Sequence, residues 1–299
     1  MIYSKTTLLL FLFSLLTSQC SNQNLSSERD EYNTEISNWR AMRIERLKCK
    51  TGWLNLAGLY WLKEGENTFG SDSSNNIIFP ANSRAFYGSI YKSGDTIRFK
   101  STKDTDVRVD NIIVKEMLVV SDELGKPSLM ECDNFAWYII KREQGYGIRL
   151  RDYTHPRISK LKHIPCYKTS PEWKILVEYI PFDTIRKIET VTVTGRKQIN
   201  DCPGELFFTK DNKDYHLLPI SEGSELFIIF ADKTNGIETY GNGRFLYASL
   251  PDSSNNVILD FNKACNPPCA FTPFATCPMP PRENFLDMSV EAGEKEVHL

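Results

Sequence analysis

No single sign of charge dominates this chain: 36 lysines and arginines stand against 38 aspartates and glutamates over 299 residues, a formal charge of −2. Without a cationic field nothing gathers the phosphates of a nucleic acid, so no nucleic-acid partner is expected. The apolar run from Leu8 to Leu16, broken only by Ser14, is too short to span hydrocarbon. Several chemical signatures are missing as well: a glycine-rich phosphate loop ending in Lys and Ser or Thr, HExxH, GxSxG and a calcium-binding loop. Histidine is scarce, with His155, His163, His216 and His298 scattered far apart, and no metal site is expected.

What is present is enough apolar residue, 41%, to bury a substantial core in one large or two moderate domains. The first twenty residues, with Lys5, the short apolar run and then small polar residues around Cys20, have the layout of a secretory signal peptide, residues 1–20. A cysteine at the cleavage region points to a lipoprotein of the cell envelope, acylated at Cys20 and held to a membrane; ordinary cleavage to a soluble exported protein is the alternative. Export makes disulfides possible, and removing Cys20 leaves seven cysteines, an odd number.

Residues 21–33 are polar and read as a tether, and residues 34–64 as an amphipathic helix with a linker, on the spacing of Ile36, Trp39, Met42, Ile44 and Leu47. Short alternating runs separated by turn residues follow. They predict a mainly β protein with one β-sandwich over 65–154 and a second β domain over 155–299. The second domain ends in NKACNPPCAFTPFATCPMPPREN, residues 262–284, which holds three cysteines and six prolines in 23 positions. Proline fixes φ and has no N–H to give a ladder, so this stretch reads as an irregular strap that positions side chains or covers an edge.

Two stretches carry candidate chemistry. ADKTNGIETYGNGRFLYASL offers Asp232, Thr239, Tyr240, Gly243 and Arg244, a glycine turn before an arginine that suits the clamping of a carboxylate or phosphate and equally suits a tight hairpin. The strap adds Asp260, Asn262, Asn266, Cys269 and Asn284. For its cysteines a disulfide between Cys269 and Cys277, or with Cys265, a nucleophilic or redox thiol, inert burial and zinc all compete, with zinc disfavoured by the spacing.

The run ENTFGSDSSNNIIFPANSRAFYGSIYKSGDTIRF resembles the opening of a forkhead-associated domain, a β-sandwich that reads phosphothreonine. Ser71 and Tyr87 stand where that family has the turn arginine and the histidine of its phosphate pocket, so the resemblance implies the fold without phosphopeptide reading. GWLNLAGLYWLKEGENTFGSD, ETYGNGRFLYASL and DFNKACNPPCAFTPFATCPMPPRENFLDMSVEAGEK together resemble the family catalogued as domain of unknown function sixteen-eighty-four, over about Trp39 to Lys295. That resemblance implies no activity or cofactor. The family's pattern has an aromatic residue at Cys265, which makes Cys265 the odd thiol.

The leading functional expectation is a cell-envelope protein binding a small anionic ligand in a polar pocket built by the TYGNGR turn and the strap, with Arg244 at its centre. Alternatives are a hydrolase or transferase using Cys269 or Asp260, and a structural module in which Arg244 pairs with Asp260 or Glu294. Metabolic labelling with a fatty-acid analogue marks the wild type and not Cys20→Ala; equal labelling of both removes the lipid anchor.

Overall fold

The computed structural model describes residues 6–142 and 144–299, with side chains from residue 27 onward. The leader and the acylation expected at Cys20 lie outside the residues whose side chains are described. Among the described residues no helix is long and apolar enough to cross a membrane.

The chain opens with helix α1 (Thr6–Lys48). It takes in the segment 21–33 read as a tether, and Tyr32 is the reason at its far end: its ring is buried and its hydroxyl donates to Asp260 Oδ1 at 2.7 Å. The covered stripe runs through Tyr32, Ile36, Arg40, Arg43 and Leu47, while Met42, expected on that stripe, is exposed. Two arginines replace apolar residues on it because acceptors await them: Arg40 donates to Tyr167 O and Arg43 to Asn266 O.

Eleven strands follow: β1 (Leu56–Trp61), β2 (Gly65–Gly70), β3 (Ile77–Ile78), β4 (Gly88–Ser93), β5 (Thr96–Ser101), β6 (Val107–Val109), β7 (Ile112–Val114), β8 (Glu116–Leu118), β9 (Met130–Cys132), β10 (Phe135–Arg142) and β11 (Gly145–Asp152). They form a six-stranded sheet of order β1-β11-β10-β9-β6-β7 and a five-stranded sheet of order β3-β2-β4-β5-β8. Inward residues of both sheets share one core, with Phe69, Ile90 and Phe99 from one sheet and Trp137, Ile148 and Leu150 from the other, as sandwich alternation requires. The LAGLYW run, placed by its sequence in the linker, is a strand of this sandwich: β1 pairs with β11 and buries Leu56 and Ala57. The short helix α2 (Pro156–Lys160) closes the region.

Seven more strands make the second β region: β12 (Lys174–Val191), β13 (Lys197–Lys210), β14 (Lys213–Leu217), β15 (Ile220–Glu222), β16 (Glu225–Phe230), β17 (Arg244–Ser249) and β18 (Asn256–Asp260). Their sheets run β14-β13-β12-β18 and β15-β16-β17. Val177, Leu206, Phe208, Ile228, Phe230, Leu246 and Phe261 meet in a second core. The protein is mainly β, as the turn-punctuated alternation predicts.

The chain divides into two compact units. One holds residues up to Glu45 with Ile164–Ala270 and Thr276–Val297; the other holds Arg46–His163, Phe271–Ala275 and His298–Leu299. The division follows the two cores and sets residues 271–275 of the strap with the first sandwich.

Trp137 has no exposed surface and lies 5.0 Å from the ring of Tyr87 and 5.4 Å from that of Phe69, centroid to centroid. Trp137→Ala leaves a cavity among rings that cannot close on it and lowers unfolding free energy by about 3–5 kcal/mol, read from the urea midpoint. A loss under about 1 kcal/mol would contradict this packing.

Candidate functional site

Residues 262–284 contain no long strand, and their main chain is satisfied piecewise along strand edges. Cys265 exchanges both backbone bonds with Phe245 of β17, each at 2.8 Å. Val193 N, at the end of the β12–β13 hairpin, donates to Cys277 O at 2.9 Å, and Met279 N donates to Val191 O at 2.8 Å. Phe285 bridges Ala231 just after β16. The strap therefore covers edges, and the side chains it carries fall into separate clusters.

The first cluster holds Arg244, fully buried at the start of β17. Its Nη2 donates to Asp232 Oδ2 at 2.8 Å and to Val290 O at 2.9 Å, and Nη1 donates to Ala292 O. The guanidinium also lies 5.2 Å from the centroid of the Phe230 ring, its cross-strand neighbour. Asp232 is held in turn: Oδ1 accepts from Thr234 Oγ1 at 2.6 Å and from Val290 N at 3.2 Å, and Thr234 Oγ1 shares a hydrogen bond with Thr239 Oγ1. Asp232, Thr239 and Arg244 thus belong together, but the guanidinium is taken up by the protein's own groups. Its hydrogen-bonded carboxylate partner is Asp232, not Asp260 or Glu294; Glu294 meets the guanidinium through its main-chain oxygen, at 3.4 Å.

Gly243 explains the turn before it. Its φ is +87°, and a Cβ there would stand 2.4 Å from Pro280 Cγ. Glycine is required for backbone reasons, to bring the strap against the strand.

Asp260 and Asn262 form a second cluster. Asp260 Oδ1 accepts from Tyr32 and from Asn262 N, and Asn262 bonds both Ser170 N and Ser170 O. Asn266 belongs to a third: its N–H donates to Glu294 Oε2 at 2.6 Å, and Glu294 Oε1 is 3.2 Å from Arg43 Nε. Burial pushes the Glu294 carboxyl above its ordinary pKa while Arg43 pulls it down. Asn284 stands apart, bonding Leu218 N, Leu218 O and Ile229 O. Tyr32 and Arg43 were not among the expected site residues; their only sequence signal is helical spacing from Ile36.

The fourth cluster is Tyr240, Cys269 and Cys277. Pro267 and Pro268 have no N–H, so the first donor after them is Cys269 N, which bonds Cys277 Sγ at 3.1 Å. The Cys277 thiol and the Tyr240 hydroxyl both hydrogen-bond the Cys269 sulfur. These bonds outweigh burial and lower the Cys269 thiol from 9.0 to about 7. Burial and the bond to Cys269 push the Tyr240 phenol upward, so it remains a proton donor at neutral pH. Asn242 Nδ2 supports the phenol at 3.4 Å. Cys269 is half-buried and Cys277 buried, and both are thiols, not the expected disulfide, in this state. Among the described residues no cluster of His, Cys, Asp and Glu could hold a metal ion.

Residues 159–295 match the family described as Protein of unknown function (DUF1684). The chain is similar to an uncharacterised protein of Haloarcula marismortui solved by solution NMR, at 25% identity over 46% of this chain and 78% of that one, with a TM-score of 0.39. It is also similar to a domain from a study of phosphothreonine-dependent forkhead-associated domain interactions, at 17% identity over 31% of this chain and 81% of that one, with a TM-score of 0.22. No curated protein matches.

Because both terminal nitrogens of Arg244 are taken by the protein's own oxygens, Arg244→Lys removes the planar fork and leaves some of those buried oxygens without a donor. The expected loss is about 3 kcal/mol of unfolding free energy in urea titration. An unchanged midpoint would return Arg244 to the role of ligand clamp.

Proposed function

We propose that the functional centre of this protein is the Cys269–Cys277 pair, acting in thiol–disulfide exchange. The carrying observation is a half-buried Cys269 set against a buried Cys277, whose sulfur accepts from Cys269 N at 3.1 Å, with the Tyr240 phenol beside them. An easily ionised attacking sulfur less covered than the resolving one beside it is the arrangement that exchange requires.

Cys269 thiolate attacks one sulfur of a substrate disulfide and expels the other as a thiolate, giving a mixed disulfide. Cys277 then gives its proton to the expelled substrate thiolate, attacks the Cys269 sulfur and releases the second substrate sulfur as a thiolate, which takes a proton from solvent. Two electrons pass to the substrate, which becomes a dithiol, and Cys269 and Cys277 become joined. The reverse sequence oxidises a substrate dithiol.

The groups touching Cys269 fit exchange better than hydrolysis. A hydrolytic nucleophile needs a base to take its proton and later return it, whereas a thiol and a phenol surround this sulfur. The expected anion site at Arg244 gains no support from a guanidinium already bonded to Asp232 and main-chain oxygens. The leader-like N-terminus supports placement outside the cytoplasm, where disulfides persist and exchange, and Cys20 supports a lipid anchor there.

Alkylation of the full chain by iodoacetamide, followed by peptide mass spectrometry, should modify Cys269 with half-maximal rate near pH 7. Oxidised glutathione should convert wild type to a Cys269–Cys277 disulfide and trap Cys277→Ser as a mixed disulfide at Cys269. A Cys269 midpoint at the ordinary value of 9.0, or no disulfide between the two, would overturn the reading.

A further inference from the structure

Strand β11 alternates strictly. Tyr146, Ile148 and Leu150 enter the sandwich core, which puts Gly147, Arg149 and Arg151 on the opposite face of the six-stranded sheet. Two arginines two residues apart on one face have their Cα atoms about 7 Å apart along the strand. Their surroundings differ sharply.

Arg151 is bonded at once to Gly52 O and Asn55 Oδ1, each at 2.6 Å, and lies over the Tyr138 ring. Arg149 is 6% exposed, more deeply covered than most charged groups. Yet among the described residues no oxygen accepts a hydrogen bond from its guanidinium and no carboxylate pairs with it; Nε is buried without a partner, as is that of Arg244, while the two terminal nitrogens keep some surface. Its cross-strand neighbours are Leu59 on β1 and Tyr138 on β10, neither of which carries a charge. Glu131, the acid on this face of β9, is engaged by the Tyr153 hydroxyl at 3.0 Å and by Lys50 at 3.8 Å.

A largely covered guanidinium whose terminal nitrogens meet no oxygen of the protein is open to an acceptor that reaches it from solvent. Every other buried arginine of this chain discussed above has oxygens bonded to it. A guanidinium lacking them calls for an acceptor from outside the chain, and its planar fork matches an oxyanion.

We propose that Arg149 is the anchor of a second, separate site, which holds the carboxylate or phosphate group of a small molecule against this face of the sheet. Tyr138 supplies an aromatic wall beside it. Arg151 adds a fixed positive charge two residues along the same strand. The site does not depend on the thiol pair, so it stands or falls by itself.

Thermal denaturation of the full chain tests it, with inorganic phosphate or acetate titrated at ionic strength held constant by sodium chloride. Wild type should show a saturable rise in Tm with one of the two, and which one responds distinguishes phosphate from carboxylate ligands. Arg149→Met should abolish the rise while leaving the anion-free Tm equal or higher, since it removes an unpaired buried charge. Arg149→Lys, which keeps charge without the fork, should weaken the apparent affinity by about tenfold. The double variant Cys269→Ser, Cys277→Ser should respond like wild type. No response of wild type to either anion, an equal response of Arg149→Met, or a lowered anion-free Tm for that variant would each overturn the proposal.

Discussion

Meeting the charge of Arg244 is the constraint on which the C-terminal β region depends. The side chain starts β17 in full burial, where an unpaired guanidinium would cost more than the packing around it could return. Asp232 supplies the counter-charge, and the carbonyls of Val290 and Ala292 take other donors, so one side chain holds the strand and the chain end together. Lysine has no planar fork with which to reach three separate acceptors. The GNG turn serves the same arrangement, because only a residue without Cβ lets Pro280 lie where it does against Gly243.

Proline governs what the strap can then do. Chain that cannot donate from every residue cannot join a sheet over its length, so residues 262–284 touch the edges at isolated places: Cys265 on β17, Cys277 and Met279 on the long hairpin, Phe285 beside Ala231. Between two of those places Cys269 is left at a tight turn, its N–H directed at the Cys277 sulfur. The irregularity of the segment is what allows two cysteines eight positions apart to meet with a phenol from another loop. A regular strand would have placed the two cysteines on one face but far apart along it.

Arginine in this protein shows how little residue type alone decides. Arg43 replaces an apolar residue on the covered stripe of α1 and finds Glu294 and Asn266 O; Arg151 finds Gly52 O and Asn55; Arg244 finds Asp232. Arg149 is as buried as Arg151 and differs from it by two residues on one strand, yet the protein gives it no acceptor. The difference lies in what stands at each position: the turn before β1 brings Gly52 O and Asn55 to Arg151, whereas Arg149 lies farther along the strand between Tyr138 and Leu59.

By itself the sequence determined the β class, the amphipathic helix and the irregular strap, because alternation, helical spacing and proline content act over a few residues and survive almost any tertiary context. The polar run 21–33 carried no apolar period, so its inclusion in α1 and the anchoring of Tyr32 by Asp260 were not legible. Ten candidate ligand residues could be named from the glycine turn and the strap, but not their partition into four clusters, the isolated Asn284 and the turn residue Gly243. The choice of Asp232 as partner of Arg244 depends on Phe230 standing opposite Arg244, a register fixed by the whole β16–β17 pairing. The meeting of Tyr240 with Cys269 and the lack of an acceptor at Arg149 were likewise decided by tertiary structure, since local pattern selects which face a side chain takes and only long-range pairing selects what stands across from it.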